Sequence, residues 1–375
     1  MKIYIISGEA SGDLHGSNLV KALKKQNSNL EIRAWGGDLM QSAGATIVKH
    51  IRDLAFMGFL EVILNLRTII GNISFCKKDI EEFQPDAIIL IDYPGFNLRI
   101  AKWAKERGIK VLYYISPQIW AWNQKRGFKI KKIVDEMFVI LPFEKEFYKK
   151  FDLNVHFVGH PLLDAVKEYK NQKPDFAAFC KKNDLPEKPI VALLPGSRKQ
   201  EVTKMLPVFL NVVDRFPDYQ FVLAAAPALE LDYYQRFLTK QNVSIIEGKT
   251  YELLLQAKAA LVSSGTATLE TALFKVPEVV CYKGGALSVG IARMLIKVKF
   301  ISLVNLIMDK EIVTELIQSD LNEKRLVQEL DRILNRENDR NELLANYEIL
   351  ITKLGGEGAS ELTANLMLKT LEPTA

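Results

Sequence analysis

The chain has 375 residues, 48% of them apolar and 25% charged, which is the composition of an ordinary globular protein and excludes disordered and fibrous classes. Its formal charge of +5 is compatible with phosphate-bearing ligands or an anionic membrane surface and is too weak to indicate a nucleic-acid partner. The length exceeds what one hydrophobic core usually supports and predicts two domains.

The three cysteines, Cys76, Cys180 and Cys281, are far apart and form no C-x-x-C pair. This spacing indicates a reducing compartment and predicts neither a disulfide framework nor a zinc site. The chain enters an apolar run at once, without the pattern of a secretion signal. We therefore expect a cytoplasmic protein.

The first stretch, Lys2 to Gly16, predicts a strand, a glycine turn and a helix. Its apolar run is typical of a strand buried on both faces of a parallel sheet, whose carboxyl end is where such sheets bind ligands. Gly8 and Gly12 allow a tight turn, and Ser11 or Asp13 is expected to cap the helix. The spacing is not G-x-G-x-x-G, so no nicotinamide or flavin cofactor is predicted. The alternative is an ordinary strand-to-helix connection without a ligand. The two carboxylates Glu9 and Asp13 argue against it, because the turn does not require them.

The stretch from Leu54 to Phe75 is the most apolar of the chain, but Glu61 and Arg67 interrupt it, so it does not predict a membrane span. At helical spacing it has one apolar and one polar stripe. The pattern favours a helix packed on the sheet. In the alternative interpretation, part of its wide apolar face, with Phe56, Met57 and Leu60, meets lipid or an acyl chain.

A second buried strand, Ala87 to Ile91, ends directly in Asp92. Pro94 and Gly95 predict a turn there, and Asn97 is expected to cap the next helix. Asp92 thus stands at the edge of the sheet where function is expected, although an aspartate at this position is also typical of a simple turn.

The following strand, Val111 to Ile115, leads to Trp120 and Trp122, which either pack internally or form a rim for a sugar or acyl group. The pattern predicts a basic helix at Lys125 to Lys132, and the simplest interpretation is that its charged residues face solvent. His156 and His160 make a poor metal site, because Gly159 and Pro161 disfavour a helix there.

Between Lys167 and Pro189 the composition is typical of an interdomain connection, after which the alternation of strands and helices restarts at Ile190. The sequence therefore predicts two doubly wound, Rossmann-like α/β domains facing each other across a cleft. We expect an N-terminal domain at 1–168, a C-terminal domain at 169–345, and a last segment at 346–375 whose helix packs back on the first domain.

A phosphate site is predicted in the second half, where Ser264, Gly265 and Thr266 open a helix after a strand. Hydroxyls and amides at a helix N-terminus favour anions, and Arg198 on the neighbouring loop is a fitting second clamp. Simple helix capping is the alternative for each loop alone. Further along, Leu287 to Phe300 predicts either a buried helix or a cationic surface element, and Asn305 and Glu315 are candidates to line a nucleotide site.

Taken together, stretches in order from Lys2 to Gln318 resemble the lipid-A-disaccharide synthases, a family of glycosyltransferases with the two-domain GT-B arrangement. The matching stretches are Ser7–Asp13, Ile91–Asp92, Ser116–Pro117, Trp120–Trp122, Phe157–His160, Leu194–Arg198, Ser264–Ala267, Ser302–Asn305, and Glu315–Leu316 with Gln318. In the family a second acidic residue commonly follows the Asp92 position by three residues, and here that position is Gly95.

The resemblance implies transfer of 2,3-diacylglucosamine from its UDP derivative to the 6-hydroxyl of 2,3-diacylglucosamine 1-phosphate, with release of UDP. Inversion at the sugar requires a general base, for which Asp92 is the first candidate and Glu9 or Asp13 the second. Arg198 and the amides after Ser264 are expected to neutralise the diphosphate. No carboxylate pair has metal-ligand spacing, so neither a metal nor an organic cofactor is predicted.

Three more site residues and the partners complete the expectation. Ser11 and Gly12 are candidates to face the transferred sugar, and Glu270 to hold the ribose. Acylated substrates favour peripheral association with the inner membrane surface, while the sequence leaves open whether the chain forms a homodimer. Two alternatives remain: a UDP-sugar epimerase of the same fold, and a non-catalytic module that binds nucleotide sugars at a membrane.

Overall fold

The protein is described by a computed structural model that covers residues 1–54, 66–171, 175–227, 229–238, 243–284 and 299–372. It divides into two compact units. The first comprises Met1–Asp164 with Leu354–Ala375, and the second comprises Ala165–Lys353. The predicted lipid-facing residues Phe56, Met57 and Leu60, and most of the Leu287 to Phe300 segment, lie outside the described residues.

The first unit contains a seven-stranded sheet whose strands are all parallel, in the order β3-β2-β1-β4-β5-β6-β7. The strands are β1 (Lys2–Ile6), β2 (Glu31–Gly36), β3 (Thr46–His50), β4 (Ala87–Ile91), β5 (Lys110–Tyr114), β6 (Glu136–Val139) and β7 (His156–Phe157). Every residue of β4 is buried, which explains its unbroken apolar sequence. Because the order reverses next to β1, the loops after β1 and β4 meet at one edge of the sheet.

Helices cover the strands of the first unit. They are α1 (Ala10–Gln26), α2 (Asp38–Ser42), α3 (Leu66–Phe83), α4 (Pro94–Lys105), α5 (Ile119–Trp122), α6 (Arg126–Ile133), α7 (Glu144–Lys149) and α8 (Leu162–Lys170), the last of which continues into the second unit. Among the described residues, no helix is both long enough and apolar enough to cross a bilayer.

The second unit repeats the plan with six parallel strands in the order β10-β9-β8-β11-β12-β13. They are β8 (Ile190–Leu194), β9 (Gln220–Ala225), β10 (Val243–Glu247), β11 (Ala257–Ser263), β12 (Glu278–Tyr282) and β13 (Thr314–Ile317). The order again reverses beside the first strand, β8. The loops after β8 and β11 therefore lie next to each other, in the same way as those after β1 and β4.

The helices of the second unit are α9 (Phe176–Lys182), α10 (Lys199–Leu210), α11 (Leu231–Gln235), α12 (Thr250–Gln256), α13 (Thr266–Leu273), α14 (Leu303–Met308), α15 (Glu323–Asn335) and α16 (Glu337–Lys353). Helix α9 forms within the stretch predicted to be an interdomain connection. The last helix, α17 (Ala359–Leu371), belongs to the first unit and packs on α1.

The doubly wound α/β fold class is confirmed, and two predicted helix caps are wrong. Helix α1 begins at Ala10 with Glu9 as its N-cap, so Ser11 and Asp13 lie inside its first turn and do not cap it. Helix α4 begins at Pro94, which suits a first helical position because proline lacks an amide hydrogen. Asn97 is therefore inside α4, and its side chain has a different task.

Candidate active site

The predicted catalytic carboxylates of the first unit lie on loops that follow neighbouring strands. Glu9 stands between β1 and α1, and Asp92 follows β4 directly. Because β1 and β4 pair in parallel, their carboxyl ends point to the same edge. The structure therefore brings Glu9 and Asp92 together, as expected from their positions in the sequence.

Asp92 lies on a strained stretch of backbone. Its φ is 44° and that of Tyr93 is 47°, and both values lie in the left-handed region that residues other than glycine rarely adopt. Two side chains hold this turn: the Tyr113 hydroxyl donates to the Asp92 carbonyl at 2.6 Å, and Asn97 Nδ2 donates to the same oxygen at 2.8 Å. Such strain persists only when its surroundings enforce it, and it is concentrated at functional sites.

Asn97 is the residue that joins the two strand ends. It is fully buried, and its Nδ2 lies 3.2 Å from the carbonyl of Ile91 and 3.4 Å from that of Ile6. These carbonyls end β4 and β1. An asparagine at the start of a helix signals capping from sequence alone, so this tertiary contact was missed.

The carboxyl of Asp92 has the protonation behaviour of a base that works near neutrality. Burial and, after it, the negative charge of Glu9 raise its pKa to about 7, against the opposing hydrogen bond from the Tyr93 amide. At this pKa the group exchanges its proton close to physiological pH. A general base is most effective when its pKa lies near the operating pH.

Asp13, the third candidate, is committed to the fold. Its side chain is 4% exposed and accepts hydrogen bonds from the amides of Gly37 at 2.7 Å, Leu39 at 3.1 Å and Met40 at 3.1 Å. These amides open α2, whose own N-cap, Gly37, has no side chain to satisfy them. Asp13 thus caps α2 across space and joins it to α1.

The two candidates for contact with the transferred sugar differ in exposure. Ser11 is exposed on the first turn of α1, whereas Gly12 is buried. A Cβ added at Gly12 would lie 2.9 Å from Cβ of Ser7, so the helix approaches the strand end too closely for any larger residue. Gly12 therefore sets the close packing of α1, and Ser11 stays accessible.

In the second unit, the predicted phosphate loop opens α13. Gly265 is its N-cap and, like Thr266, is exposed. A Cβ built on Gly265 would meet no atom within 4 Å, so the space before the helix is open. The Ser264 hydroxyl donates to the carbonyl of Ile301 at 3.0 Å, which ties this loop to the segment that precedes α14.

Arg198 is the N-cap residue of α10 and its side chain is 54% exposed. Its Nη1 lies 3.5 Å from Oε1 of Glu201, whose other oxygen accepts from the amides of Ser197 at 3.0 Å and Arg198 at 3.3 Å. The sequence interpretation overlooked Glu201. A glutamate at the third helical position is a known signal for such reach-back bonding.

The remaining nucleotide-site candidates are held by internal hydrogen bonds. Burial raises the pKa of Glu270, whose Oε1 accepts from the Tyr251 hydroxyl at 2.5 Å. Asn305 is fully buried and uses its side-chain amide on the backbone of Ile312 and Val313 and on Glu315. Glu315 in turn accepts from the amides of residues 301 and 302. Asn305 and Glu315 thus support the segment to which Ser264 is bonded.

A buried acid in the first unit also escaped the sequence interpretation. Glu144, 1% exposed, accepts from the Ser116 hydroxyl and from the amides of Ile140 and Leu141. Burial raises its pKa to about 7, and these hydrogen bonds oppose the increase. Glu144 thereby ties the loop after β5 to the loop after β6, beside Ile115, which has a left-handed φ of 62°.

No group of three or more histidine, cysteine, aspartate or glutamate side chains is placed to hold a metal ion within the described part of the chain. The two strand edges offer a carboxyl whose pKa is raised to about 7 in one unit, and an arginine with an open helix N-terminus in the other. The first suits proton abstraction, and the second suits an anion.

Two doubly wound parallel α/β units of this kind are the fold class of GT-B proteins. A solved UDP-GlcNAc 2-epimerase from Neisseria meningitidis, bound to UDP-GlcNAc, is similar in fold, with a TM-score of 0.72, 14% identity, and coverage of 98% of this chain and 100% of that one. The glycotransferase of kitacinnamycin gives a TM-score of 0.65 at 14% identity, with 99% of each chain covered. At these identities the likeness establishes the fold alone.

Sequence comparison is more specific. The model of the family described as lipid-A-disaccharide synthetase matches residues 3–369. The lipid-A-disaccharide synthase of Syntrophus aciditrophicus is 41% identical, covering 99% of this chain and 98% of the relative, and that of Coxiella burnetii is 39% identical, covering 97% of both. The chain belongs to the lipid-A-disaccharide synthase family of glycosyltransferases, so the family resemblance predicted from the sequence is confirmed.

Proposed function

We propose that this protein condenses UDP-2,3-diacylglucosamine with 2,3-diacylglucosamine 1-phosphate, giving the β-1,6-linked disaccharide 1-phosphate and UDP. The observation that carries the proposal is the carboxyl of Asp92, held at a strand end in a strained turn with a pKa of about 7. Membership in the synthase family supports the class of product. The acyl chains and the site of attachment are those that the family name implies.

In the proposed reaction Asp92 acts as the general base. Its carboxylate takes the proton from the 6-hydroxyl of the acceptor while that oxygen attacks the anomeric carbon of the donor. The bond from the anomeric carbon to the diphosphate breaks with inversion, and UDP leaves with the electron pair. The charge of Glu9 makes Asp92 more basic, and Asp13 holds the first loop in place by capping α2.

The second unit would stabilise the negative charge that develops on UDP. Arg198 pairs well with phosphate oxygens because its guanidinium presents parallel donors. The N-terminus of α13, with Ser264, Gly265 and Thr266, offers amides and a positive helix end. Glu270 remains the proposed ribose contact and Ser11 the proposed sugar contact. Asn305 and Glu315 are assigned to supporting this loop.

Product analysis tests the proposal directly. The purified chain is incubated with UDP-2,3-diacylglucosamine and 2,3-diacylglucosamine 1-phosphate, and the lipids are separated and weighed by mass spectrometry. We expect a disaccharide 1-phosphate that appears together with free UDP. An epimerised UDP-sugar with no disaccharide would instead support the epimerase alternative, which the fold likeness alone permits.

We also propose peripheral contact with an anionic membrane surface, since both substrates carry acyl chains. Two exposed apolar side chains lie on the described part of the predicted lipid-facing helix, Ile70 at 53% and Phe75 at 46% exposure. On α5 and α6, Trp122 and Phe128 are 50% and 59% exposed, and the Arg126 guanidinium lies 4.6 Å from the centre of the Trp122 ring. Aromatic and basic side chains together suit a lipid headgroup region.

Co-sedimentation with phosphatidylglycerol vesicles tests this contact. A variant with Trp122→Ser and Phe128→Ser, and another with Ile70→Ser and Phe75→Ser, should each sediment less than the parent chain. Ile349→Ser, at a 50% exposed position of the second unit, is the matched control. Equal sedimentation of all four proteins would rule out both surfaces.

A further inference from the structure

Tyr93 is a residue of the Asp92 turn to which the proposed reaction gives no task. Its ring lies directly against the first loop: a Cβ added at Gly8 would be 2.4 Å from Cγ of Tyr93. The ring also stacks on Phe96, with centroids 5.5 Å apart and planes at 23°, and Phe96 contacts Trp35 with centroids 5.1 Å apart. Tyr93 therefore joins the loop after β1 to the start of α4 and the sheet behind it.

The strained backbone of Tyr93 indicates that its surroundings hold the ring against the first loop. A φ of 47° in an aromatic residue is unfavourable relative to ordinary backbone, because Cβ comes too close to the following carbonyl oxygen. The turn places Asp92 and Tyr93, in succession, in the left-handed region. The Asp92 carbonyl accepts hydrogen bonds from Tyr113 and Asn97. The ring of Tyr93 packs on Gly8 and Phe96.

The same contact decides how near Glu9 stands to Asp92. Glu9 follows Gly8 directly, and burial together with the charge of Glu9 raises the pKa of Asp92 and of Tyr93, so its carboxylate lies within electrostatic range of both. Among the described residues, the polar groups at Asp92 are Glu9 from the loop after β1, Tyr113 from β5, Asn97 from α4, and the Tyr93 amide of its own turn. Only Glu9 among these carries a charge that depends on how the two loops meet.

We propose that Tyr93 is a positioning residue, whose ring clamps the loop after β1 against the turn after β4 and thereby keeps the Glu9 and Asp92 carboxylates side by side. It rests on the proposed role of Asp92 as general base. In this arrangement the ring both excludes water from Asp92 and fixes its charged neighbour. The hydroxyl of Tyr93 takes no part.

The test is the pH dependence of the single-turnover rate of disaccharide formation between pH 5 and 9. The parent rate should rise with pH through a midpoint near 7, because the ionised form of Asp92 is the base. Tyr93→Ala should lower the midpoint by about one pH unit or more, since Asp92 gains water and Glu9 moves away. Tyr93→Phe keeps the ring and should retain the parent midpoint, with a rate within about twofold.

Two controls separate this role from a general structural one. Gly8→Ala should move the midpoint in the same direction as Tyr93→Ala, because the added Cβ displaces the ring from the opposite side. Glu9→Gln should also lower it, because a neutral side chain no longer opposes ionisation of Asp92. If Tyr93→Ala proves unfolded by circular dichroism, Gly8→Ala and Tyr93→Phe still decide the matter.

A lower rate with an unmoved midpoint in Tyr93→Ala and Gly8→Ala would overturn the proposal, because the ring would then serve stability alone. A shifted midpoint in Tyr93→Phe would also overturn it, by assigning the effect to the hydroxyl. If Asp92→Asn retains full activity, the proposed base fails. If Asp92→Asn is inactive while the midpoints stay fixed, only the clamp fails.

Discussion

The two sheets follow the same winding rule, yet the carboxyl ends of their strands carry opposite chemistry. In the first unit the loops after β1 and β4 present Glu9 and Asp92, and burial, followed by the charge of Glu9, raises the pKa of Asp92 to about 7. In the second unit the equivalent loops after β8 and β11 present Arg198 and the open N-terminus of α13.

The comparison shows that the fold fixes where the loops meet, whereas the residues on the loops determine the chemistry at that edge. Both units have the reversal point that brings two loops together. In one, backbone strain and burial are used to make a carboxylate basic. In the other, the acid at the loop, Glu201, is bonded to backbone amides, which leaves the edge suited to an anion.

Neutralising the base is the strongest way to test the contrast. Asp92→Asn should reduce kcat by about 10²-fold or more, since the proton of the acceptor hydroxyl then has no acceptor on the enzyme. The affinity for UDP, measured by calorimetry, should stay unchanged because the nucleotide is assigned to the other unit. A parallel loss of UDP affinity would show that the two edges do not divide the work.

The two aspartates of the first unit should respond differently. Asp13→Ala should lower the free energy of unfolding by about 1–3 kcal/mol, because three amides at the start of α2 lose a buried acceptor. Urea titration followed by circular dichroism measures the loss. Ser11→Ala, exposed on the same turn, should stay within about 0.5 kcal/mol of the parent. Equal stability of both variants would contradict the capping role.

Removing the anion clamp of the second unit is expected to weaken the binding of UDP, with a smaller change in free energy than the two variants above. Arg198→Ala should raise the Kd of UDP by about tenfold, the equivalent of one charge-assisted pair. Arg215→Ala removes an exposed arginine of the same unit, paired to Glu323 at 3.2 Å, and should leave the Kd unaltered. Identical Kd values for the two variants would count against the clamp.

A pH-dependent effect on stability is expected at the opposite end of β12, away from both loops. Glu278 is 1% exposed, and burial raises its pKa well above the usual range, against the opposing effect of the Tyr347 hydroxyl. Below the unfolded pKa the acid is neutral in both states. As pH rises above it, the unfolded chain loses a proton that the folded chain retains, so stability falls by up to about 1.4 kcal/mol per pH unit.

Glu278→Gln should therefore gain stability relative to the parent as pH increases from 5 to 8, with thermal unfolding as the measurement. The gain depends on pH because glutamine has no proton to lose. A difference between the two proteins that is the same at both pH values would place the ionised acid in the folded state.

Much of the sheet was predictable from sequence, for a physical reason. The strand Ala87–Ile91 has the predicted bounds, and β8 begins at Ile190 as predicted, because a strand buried on both faces must be apolar without interruption. The short strand β7 and the partly exposed β13 carry no such run and were not predicted. An unbroken apolar run is thus the clearest signal for a strand that is buried on both faces.

The candidate site divides along the same line. Asp92 and Arg198 were found because each follows a predicted strand end, which is a matter of chain order. The different roles of Asp13 and Asp92 were not predictable from the sequence. Asp13 is bonded to amides at the start of α2, and the Asp92 turn is bonded to Tyr113 of β5. Asn97 shows the same limit, because its partners end two strands that are distant in sequence.

The return of the chain to the first unit has a consequence for biosynthesis. Helix α17 packs on α1, and its first turn is held by Asp164, whose oxygens accept from the amides of Gly358 at 2.7 Å and Ser360 at 2.9 Å. Because α17 is the last helix to be synthesised, the half that carries the base cannot complete its packing until the whole of the second unit has been made.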